Sequence, residues 1–152
     1  MAVVEKRIDR TIGNLKNNKM DAYYAETCAD AVALVRQLCP AGQTVSCGGS
    51  VTLEECGVKK LLRSGEYTFL DREAKGADPE DIYRRTFGCD TFFCSSSAIT
   101  EAGELYNVDG RGNRVAAMIY GPKSVIVVAG YNKIVPDLEA ARARLRDTAA
   151  PA

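Results

Sequence analysis

The stretch Thr44–Thr52, which reads TVSCGGSVT, decides the fold class of this chain. Its first part, Thr44–Cys47, is a short run of small and β-branched residues and predicts a buried strand. Gly48 and Gly49 then turn the chain into a predicted helix whose apolar positions are Leu53, Cys56, Leu61 and Leu62. A strand, a glycine turn and a helix in direct succession are typical of proteins with a parallel sheet covered by helices.

Outward from this stretch, strand and helix patterns continue to alternate. Helices are predicted around Val4–Leu15, after the capping box Thr27–Asp30, from Asp78–Pro79 and from Pro136–Asp137. Strands are predicted at Met20–Ala25, Tyr67–Leu70, Cys89–Ser95 and Val125–Ala129, the last one buried on both faces. The segment Gly103–Tyr120 predicts a hairpin around Asp109–Gly112. We therefore predict one α/β domain over residues 1–152, with a mostly parallel sheet flanked by helices and an antiparallel hairpin.

The amino-acid composition excludes several classes of function for this chain. Among 152 residues, 20 basic and 20 acidic side chains balance, so no global field attracts nucleic acid or an anionic membrane. The chain contains no histidine, which excludes Ser-His and Cys-His catalytic pairs. Six cysteines occur at spacings that fit no zinc or iron–sulfur run. A charged start and the lack of a long apolar run lead us to expect a cytoplasmic protein. Because histidine is missing and the cysteine spacings fit no metal site, we expect no metal or other cofactor.

Two predicted turns at strand ends carry residues that suit a ligand. In open α/β sheets, ligands bind beyond the carboxyl ends of the strands. Gly48 and Gly49 would let a ligand approach the backbone, and Ser50 begins the next helix, although the same residues also suit an ordinary βα turn. The hydroxyl-rich segment after the Cys89–Ser95 strand would bind an anion or a carbonyl, or would simply satisfy a turn; its candidates are Ser95, Ser97 and Thr100.

Two further segments complete the candidate site. Four polar residues surround the Asp-Gly turn and indicate a hydrogen-bonded network that either holds the turn or lines a pocket: Asn107, Asp109, Asn113 and Arg114. Lys133 follows the apolar Val125–Ala129 strand and could meet an anionic ligand, although most single lysines are solvated. Residue chemistry alone thus predicts an anion-compatible pocket.

The same segments resemble a known family. Seven runs of residues are similar to the LUD (lactate-utilization) domain family, formerly a domain of unknown function. Five of them are Ser97–Thr100, Asn107–Gly110, Gly112–Ala117, Gly121–Val128 and Gly130–Val135, and the other two are Gly48–Leu53 upstream and Ala149-Ala-Pro151 at the end. The family resembles, in fold, the sugar-phosphate isomerase and coenzyme A transferase superfamily. Two features depart from the family's pattern: Ser97 stands where asparagine is usual, and longer members continue into a cysteine-containing tail beyond the position of Ala152.

The resemblance implies a link to lactate or 2-hydroxy-acid utilization, with a small anionic metabolite as the expected partner. Lactate-utilization subunits that carry iron–sulfur clusters, and a second copy of this chain, remain open as partners. Two alternatives also remain open, namely a non-catalytic assembly subunit of an iron–sulfur oxidoreductase system and an isomerase or acyl-transfer enzyme. For the enzyme, Glu101, Glu104 or Asp109 would serve as general base or nucleophile, because histidine is absent.

Overall fold

A computed structural model describes residues 3–149 and divides the chain into two compact units. The parallel-sheet unit comprises Ala25–Ser95 and Asp109–Val128, and the small-sheet unit comprises Met1–Tyr24, Ser96–Val108 and Ala129–Ala152. Each unit is therefore assembled from separate stretches of sequence. The expected single domain over residues 1–152 stays a prediction, and residues 1, 2 and 150–152, including the end of the family-like Ala149-Ala-Pro151 run, lie outside the described residues.

The parallel-sheet unit contains four strands in the order β2-β1-β3-β6, and every neighbouring pair is parallel. In chain order its elements are α2 (Cys28–Leu38), β1 (Thr44–Cys47), α3 (Val51–Glu55), α4 (Val58–Leu62), β2 (Thr68–Leu70), α5 (Pro79–Thr86), β3 (Thr91–Cys94), α6 (Asn113–Ile119) and β6 (Ser124–Val127). The predicted α/β class with a parallel, helix-flanked sheet is thereby confirmed.

Each face of this sheet packs against its own helices, because successive strand residues point to opposite sides. Val45 and Phe93 pack with α2, α3 and α4 on one face, where the side chains of Leu53 and Leu62 are fully buried. Phe92 packs on the other face with α5 and α6. In such folds a ligand site forms beyond the carboxyl ends of the strands.

The small-sheet unit has three strands in the order β5-β4-β7. Its elements are α1 (Val3–Asn17), β4 (Ala98–Thr100), β5 (Leu105–Tyr106), a 3-10 turn (Tyr131–Lys133), β7 (Ile134–Val135), α7 (Leu138–Arg144) and a final π-helical turn (Leu145–Ala149). β4 is antiparallel to β5 and parallel to β7, so this sheet is mixed. Ala98, Val135 and Ala141 form its buried centre.

Helix α1 is tied to the turn between β4 and β5 by polar contacts. Arg7 Nε donates to Glu101 Oε1 over 2.7 Å, and Arg10 Nη1 donates to Glu101 Oε2 over 3.0 Å. The Asn14 side chain donates to the Glu101 carbonyl over 2.8 Å. Gly103 completes the contact, since its φ is +83° and its Cα faces the backbone of Asn14. The helix therefore docks on a turn whose shape requires glycine.

The hairpin predicted at Gly103–Tyr120 is wrong. An antiparallel pair does exist, but it joins β4 to β5, and Asn113–Ile119 is helical. Gly112 adopts a left-handed conformation, φ +74°, at the start of that helix, and the Val115 amide donates to Asp109 Oδ2 over 2.6 Å. The turn-like glycines thus begin a helix rather than reverse a strand, and the two alanines that follow favour helix.

Three smaller expectations are also corrected. The helix after Ser50 is two short helices, because Gly57 has a left-handed φ of +83° between them. Met20–Ala25 pairs with no strand within residues 3–149, and its two tyrosines are more than half exposed. β6 is an edge strand: Ile126 packs on one face of the sheet and Val125 and Val127 on the other, but all three are half-buried rather than buried. None of the helices in the described part of the chain is long and apolar enough to span a membrane.

We expect Gly103→Ala to lower the free energy of unfolding by about 2 kcal/mol or more, since a left-handed alanine is strained and its Cβ would lie 2.6 Å from the Asn14 backbone carbon. Gly13→Ala in α1 is the matched control, because nothing lies within 4 Å of its Cβ position. It should stabilise by about 0.5 kcal/mol through helix propensity. Urea unfolding measures both, and equal effects of the two variants would contradict the docking role of Gly103.

Candidate functional site

A cavity of about 290 Å³ opens in the parallel-sheet unit at the carboxyl end of β1. It is lined by residues of the turn after β1, of the segment after β2, of α5, of β3 and of the start of α6: Cys47, Gly48, Gly49, Arg72, Ile82, Tyr83, Thr86, Phe92, Asp109, Gly110, Arg111, Asn113 and Arg114. From β1 the chain crosses to β2 on one side, and from β3 it continues to β6 on the other. The cavity therefore lies at the point where the strand connections diverge, the usual place for a ligand in open α/β sheets.

Arg114 holds one wall of the cavity in place. Its Nε donates to Asp109 Oδ1 over 2.8 Å, and its Nη1 donates to the carbonyl of Ser95 over 2.8 Å. The two charged side chains are only 14% and 9% exposed. Asp109 also accepts from the Val115 amide, so both of its carboxylate oxygens are engaged. The Arg114 charge is thus neutralised inside the protein, and the wall is rigid.

Arg72 also lines this cavity and pairs with no carboxylate in the described chain. Its Nη1 donates to the Tyr83 hydroxyl over 3.1 Å, and its guanidinium carbon lies 5.7 Å from the centre of the Tyr83 ring. Its Nη2 occupies the space beside Gly49, only 2.5 Å from where a Cβ would be. Glycine at position 49 therefore allows the guanidinium to lie against the backbone.

The acidic neighbours of Arg72 are neutralised by cations from α4 and the residue after it. Arg63 donates to Asp71 and to Glu73 over 2.8 Å each, and the buried Lys59 donates to Glu73 over 2.8 Å. Burial alone would raise the pKa of Asp71, but hydrogen bonds from Arg63 and from the Glu73 amide lower it below its ordinary value. The hydrogen bond from Lys59, against an opposing effect of desolvation, lowers the pKa of Glu73. Within residues 71–73 of the described chain, Arg72 is therefore the charge that no ion pair neutralises.

Cys47 supplies the thiol that lines the candidate site, and this thiol is a weak nucleophile. Burial raises the pKa of the Cys47 thiol to about 11. At neutral pH it is therefore a protonated, weakly nucleophilic group, since the thiolate is the reactive form. It lines the cavity as a small, weakly polar surface. Among residues 3–149, no group of three or more cysteine or acidic side chains is arranged to hold a metal ion.

Of the eleven residues predicted for the site, five line the cavity: Gly48, Gly49, Asp109, Asn113 and Arg114. Ser50 is the N-cap of α3 and accepts from the Leu53 amide, which is the structural role weighed for it. Ser95 contributes its carbonyl to Arg114. Whether any of these residues binds a ligand stays a prediction.

The other four predicted residues belong to the small-sheet unit. The Ser97 amide donates to Asn107 Oδ1 over 3.1 Å. Thr100 is fully buried, and its hydroxyl donates to the Glu104 carboxylate over 2.7 Å. Lys133 ends the 3-10 turn, where its amide donates to the Gly130 carbonyl. The Thr100 hydroxyl and the Asn107 side-chain amide are therefore used in holding turns of their own unit.

Sequence reasoning missed Arg72, Tyr83 and Arg111. Arg72 stands two residues after the end of β2. The strand-end rule that selected Gly48 would also have selected it. Tyr83 reaches the cavity from α5, and no sequence pattern marks which face of that helix meets the sheet end.

The chain is an α/β protein whose open parallel sheet carries a basic cavity where its strand connections diverge. The comparison with known families gives this α/β protein a family. The model of the LUD domain matches residues 8–152, nearly the whole chain, and the protein belongs to that family. No curated protein and no solved structure shows significant similarity to it.

We expect Asp109→Asn to lower the free energy of unfolding by about 3 kcal/mol, because it leaves the Arg114 charge buried without its partner. Asp81→Asn removes a pair with Arg85 in which both side chains are more than half exposed, and should cost less than about 0.5 kcal/mol. Urea unfolding at neutral pH compares the two. If Asp109→Asn lowers the free energy of unfolding no more than Asp81→Asn does, the buried ion pair does not stabilise this side of the cavity.

Stability should also depend on pH through Asp71 and Glu73. Both pKa values are lowered in the folded state, so their stabilisation is present above the unfolded pKa values, about 4, and is lost as pH falls through the folded ones. The Tm should therefore fall steeply below pH 4. Glu73→Gln should lower the Tm at pH 7 and flatten this fall, whereas Glu55→Gln at an exposed position should leave the curve unchanged. If Tm falls equally with pH in the wild type and in Glu73→Gln, the Glu73 carboxylate is not a source of the acid sensitivity.

Proposed function

We propose that this LUD domain binds a small anionic metabolite of lactate or related 2-hydroxy-acid utilization in the cavity after β1. The observation that carries the proposal is Arg72, a half-buried guanidinium at the cavity with no carboxylate partner in the described chain. A planar guanidinium binds a carboxylate through two parallel hydrogen bonds. We propose that the carboxylate of the metabolite takes this place, in a protein of the cytoplasm.

The surroundings of Arg72 support recognition of a small ligand. A volume of about 290 Å³ is at the lower end for ligand pockets and suits a metabolite of a few carbon atoms. Ile82 and Phe92 supply apolar walls, and Tyr83 orients the guanidinium from one side. The missing side chain at Gly49 lets the charged group approach the backbone. Fixed polar groups on an apolar lining are what gives such pockets orientation and specificity.

Independent catalysis, as in an isomerase or an acyl-transfer enzyme, receives less support. The three carboxylates proposed as base or nucleophile are all engaged by other groups. Glu101 pairs with two arginines, Glu104 with the Thr100 hydroxyl, and Asp109 with Arg114 and an amide. A general base needs a free lone pair within reach of the substrate. These contacts favour binding over covalent or acid–base chemistry.

An accessory role in a larger assembly is the second candidate. Ile119 and Tyr120 at the end of α6 are 78% and 85% exposed, and Phe87 beside Gly121 is also exposed. Neighbouring exposed apolar side chains mark surfaces that bind other proteins. The partner subunits we propose are those of lactate utilization that carry iron–sulfur clusters.

A thermal-shift panel tests the first proposal directly. Its probes are L-lactate, pyruvate, sugar phosphates, nucleotides and coenzyme A thioesters. A ligand at 100 times its Kd should add about 2.7 kcal/mol of stability. Arg72→Gln should abolish the shift, and Arg72→Lys should restore part of it, because lysine keeps the charge but not the planar fork.

Gly49→Ala provides an independent test, since its Cβ would displace the Arg72 guanidinium while the backbone conformation remains ordinary. We expect a folded protein with at least tenfold weaker binding, about 1.4 kcal/mol. Gly88→Ala, whose Cβ meets only an ordinary contact at 3.7 Å, is the matched control and should bind as wild type does. A full shift in Arg72→Gln would refute the site. No shift with any probe would favour the accessory role, which capture of cluster-carrying partner subunits would then test.

A further inference from the structure

A second arginine, Arg111, lines the same cavity and is held by a contact that a ligand can replace. Its Nη1 lies 3.1 Å from Glu80 Oε1, and the two side chains are 72% and 62% exposed. Ion pairs between exposed side chains contribute little free energy, because water and salt compete with both partners. Glu80 therefore restrains Arg111 only weakly.

The backbone around Arg111 leaves this side chain room to move. Gly110 precedes it and Gly112 follows it, and nothing lies within 4 Å of the positions that Cβ atoms would occupy at either glycine. Arg111 is thus flanked in the turn by two residues that carry no side chain to crowd it. By contrast, Arg114 is fixed at both ends of its guanidinium by Asp109 and the Ser95 carbonyl.

The three arginines of the cavity consequently differ in what they can offer to a ligand. Arg114 is neutralised, Arg72 has no carboxylate partner in the described residues, and Arg111 has a partner that it can exchange. One carboxylate satisfies Arg72 and leaves Arg111 with Glu80. A ligand with a second anionic group gains the Arg111 contact as well and loses only a weak surface pair. Two guanidiniums at one small cavity therefore favour a doubly charged ligand over a singly charged one.

We propose that the ligand of this cavity carries two anionic groups, one bound by Arg72 and the other by Arg111 after its release from Glu80. The inference rests on the function proposed above and specifies the chemical class of its ligand. The second group is a carboxylate or a phosphate, since both accept two hydrogen bonds from a guanidinium. Glu80 then acts as a competitor for Arg111 in the empty site.

Isothermal titration calorimetry with matched probes tests this class. L-malate is L-lactate with a carboxylate added to its methyl carbon, and 3-phospho-D-glycerate adds a phosphate to D-glycerate. We expect one of the doubly charged probes to bind about tenfold more tightly than its singly charged partner. Preference for malate identifies a dicarboxylate, and preference for the phosphate ester identifies a phosphorylated acid.

Three variants assign the preference to Arg111. Arg111→Gln should reduce the tenfold preference to about twofold or less. Glu80→Gln should strengthen binding of the preferred probe about threefold, because the competing carboxylate is gone. Asp81→Asn is the matched control on the same turn of α5, since Asp81 pairs with Arg85 and does not line the cavity, and it should alter neither affinity.

The outcomes separate the two proposals. Equal affinities for the singly and doubly charged probes, with both lost in Arg72→Gln, would overturn the two-anion inference and leave the proposed function standing. A preference that survives Arg111→Gln would likewise overturn the role of Arg111. Binding of none of the four probes to the wild-type protein would overturn the proposed function together with the inference.

Discussion

The guanidinium of Arg114 makes the contacts on which the parallel-sheet unit depends at the end that holds the cavity. The chain leaves this unit after Ser95 and returns to it at Asp109. Arg114 donates hydrogen bonds to the Ser95 carbonyl and to the Asp109 carboxylate. One side chain therefore connects the residue at which the chain leaves the unit with the residue at which it returns. Because Asp109 also accepts the Val115 amide, the same network fixes the first turn of α6.

The Arg114 network also decides what the cavity can do. It uses the charge of Arg114 and both oxygens of Asp109 for structure, which removes the candidate base from chemistry. With the Cys47 thiol protonated, its pKa raised to about 11, few reactive groups remain at this cavity. What remains is a pair of arginines in different electrostatic states. These two arginines are the groups that the proposed binding of an anion uses.

Charge neutralisation outside the cavity has a similar effect. Asp71 and Glu73 flank Arg72 in sequence and would otherwise offset its charge. Arg63 and the buried Lys59 bind them instead, on the side of α4. A stretch that reads as evenly mixed charge thus becomes, in three dimensions, an ion-pair cluster plus one arginine at the cavity. The overall charge balance of the chain conceals this local asymmetry, because composition carries no information about which charges meet.

The sequence by itself determined the alternation of strands and helices, the α/β class, the capped starts of α2, α5 and α7, and the membership of the LUD family. These depend on local periodicity, on caps and on motifs within a few residues. Only the tertiary structure decided that Asn113–Ile119 is a helix: Asp109 and the left-handed Gly112 lie at its start, and Arg114 in its first turn bonds to the carbonyl of Ser95, 19 residues away in sequence. The tertiary structure alone also brought Arg72 to Gly49. That meeting requires β2 to lie beside β1 in parallel, a register set by side chains far apart in sequence.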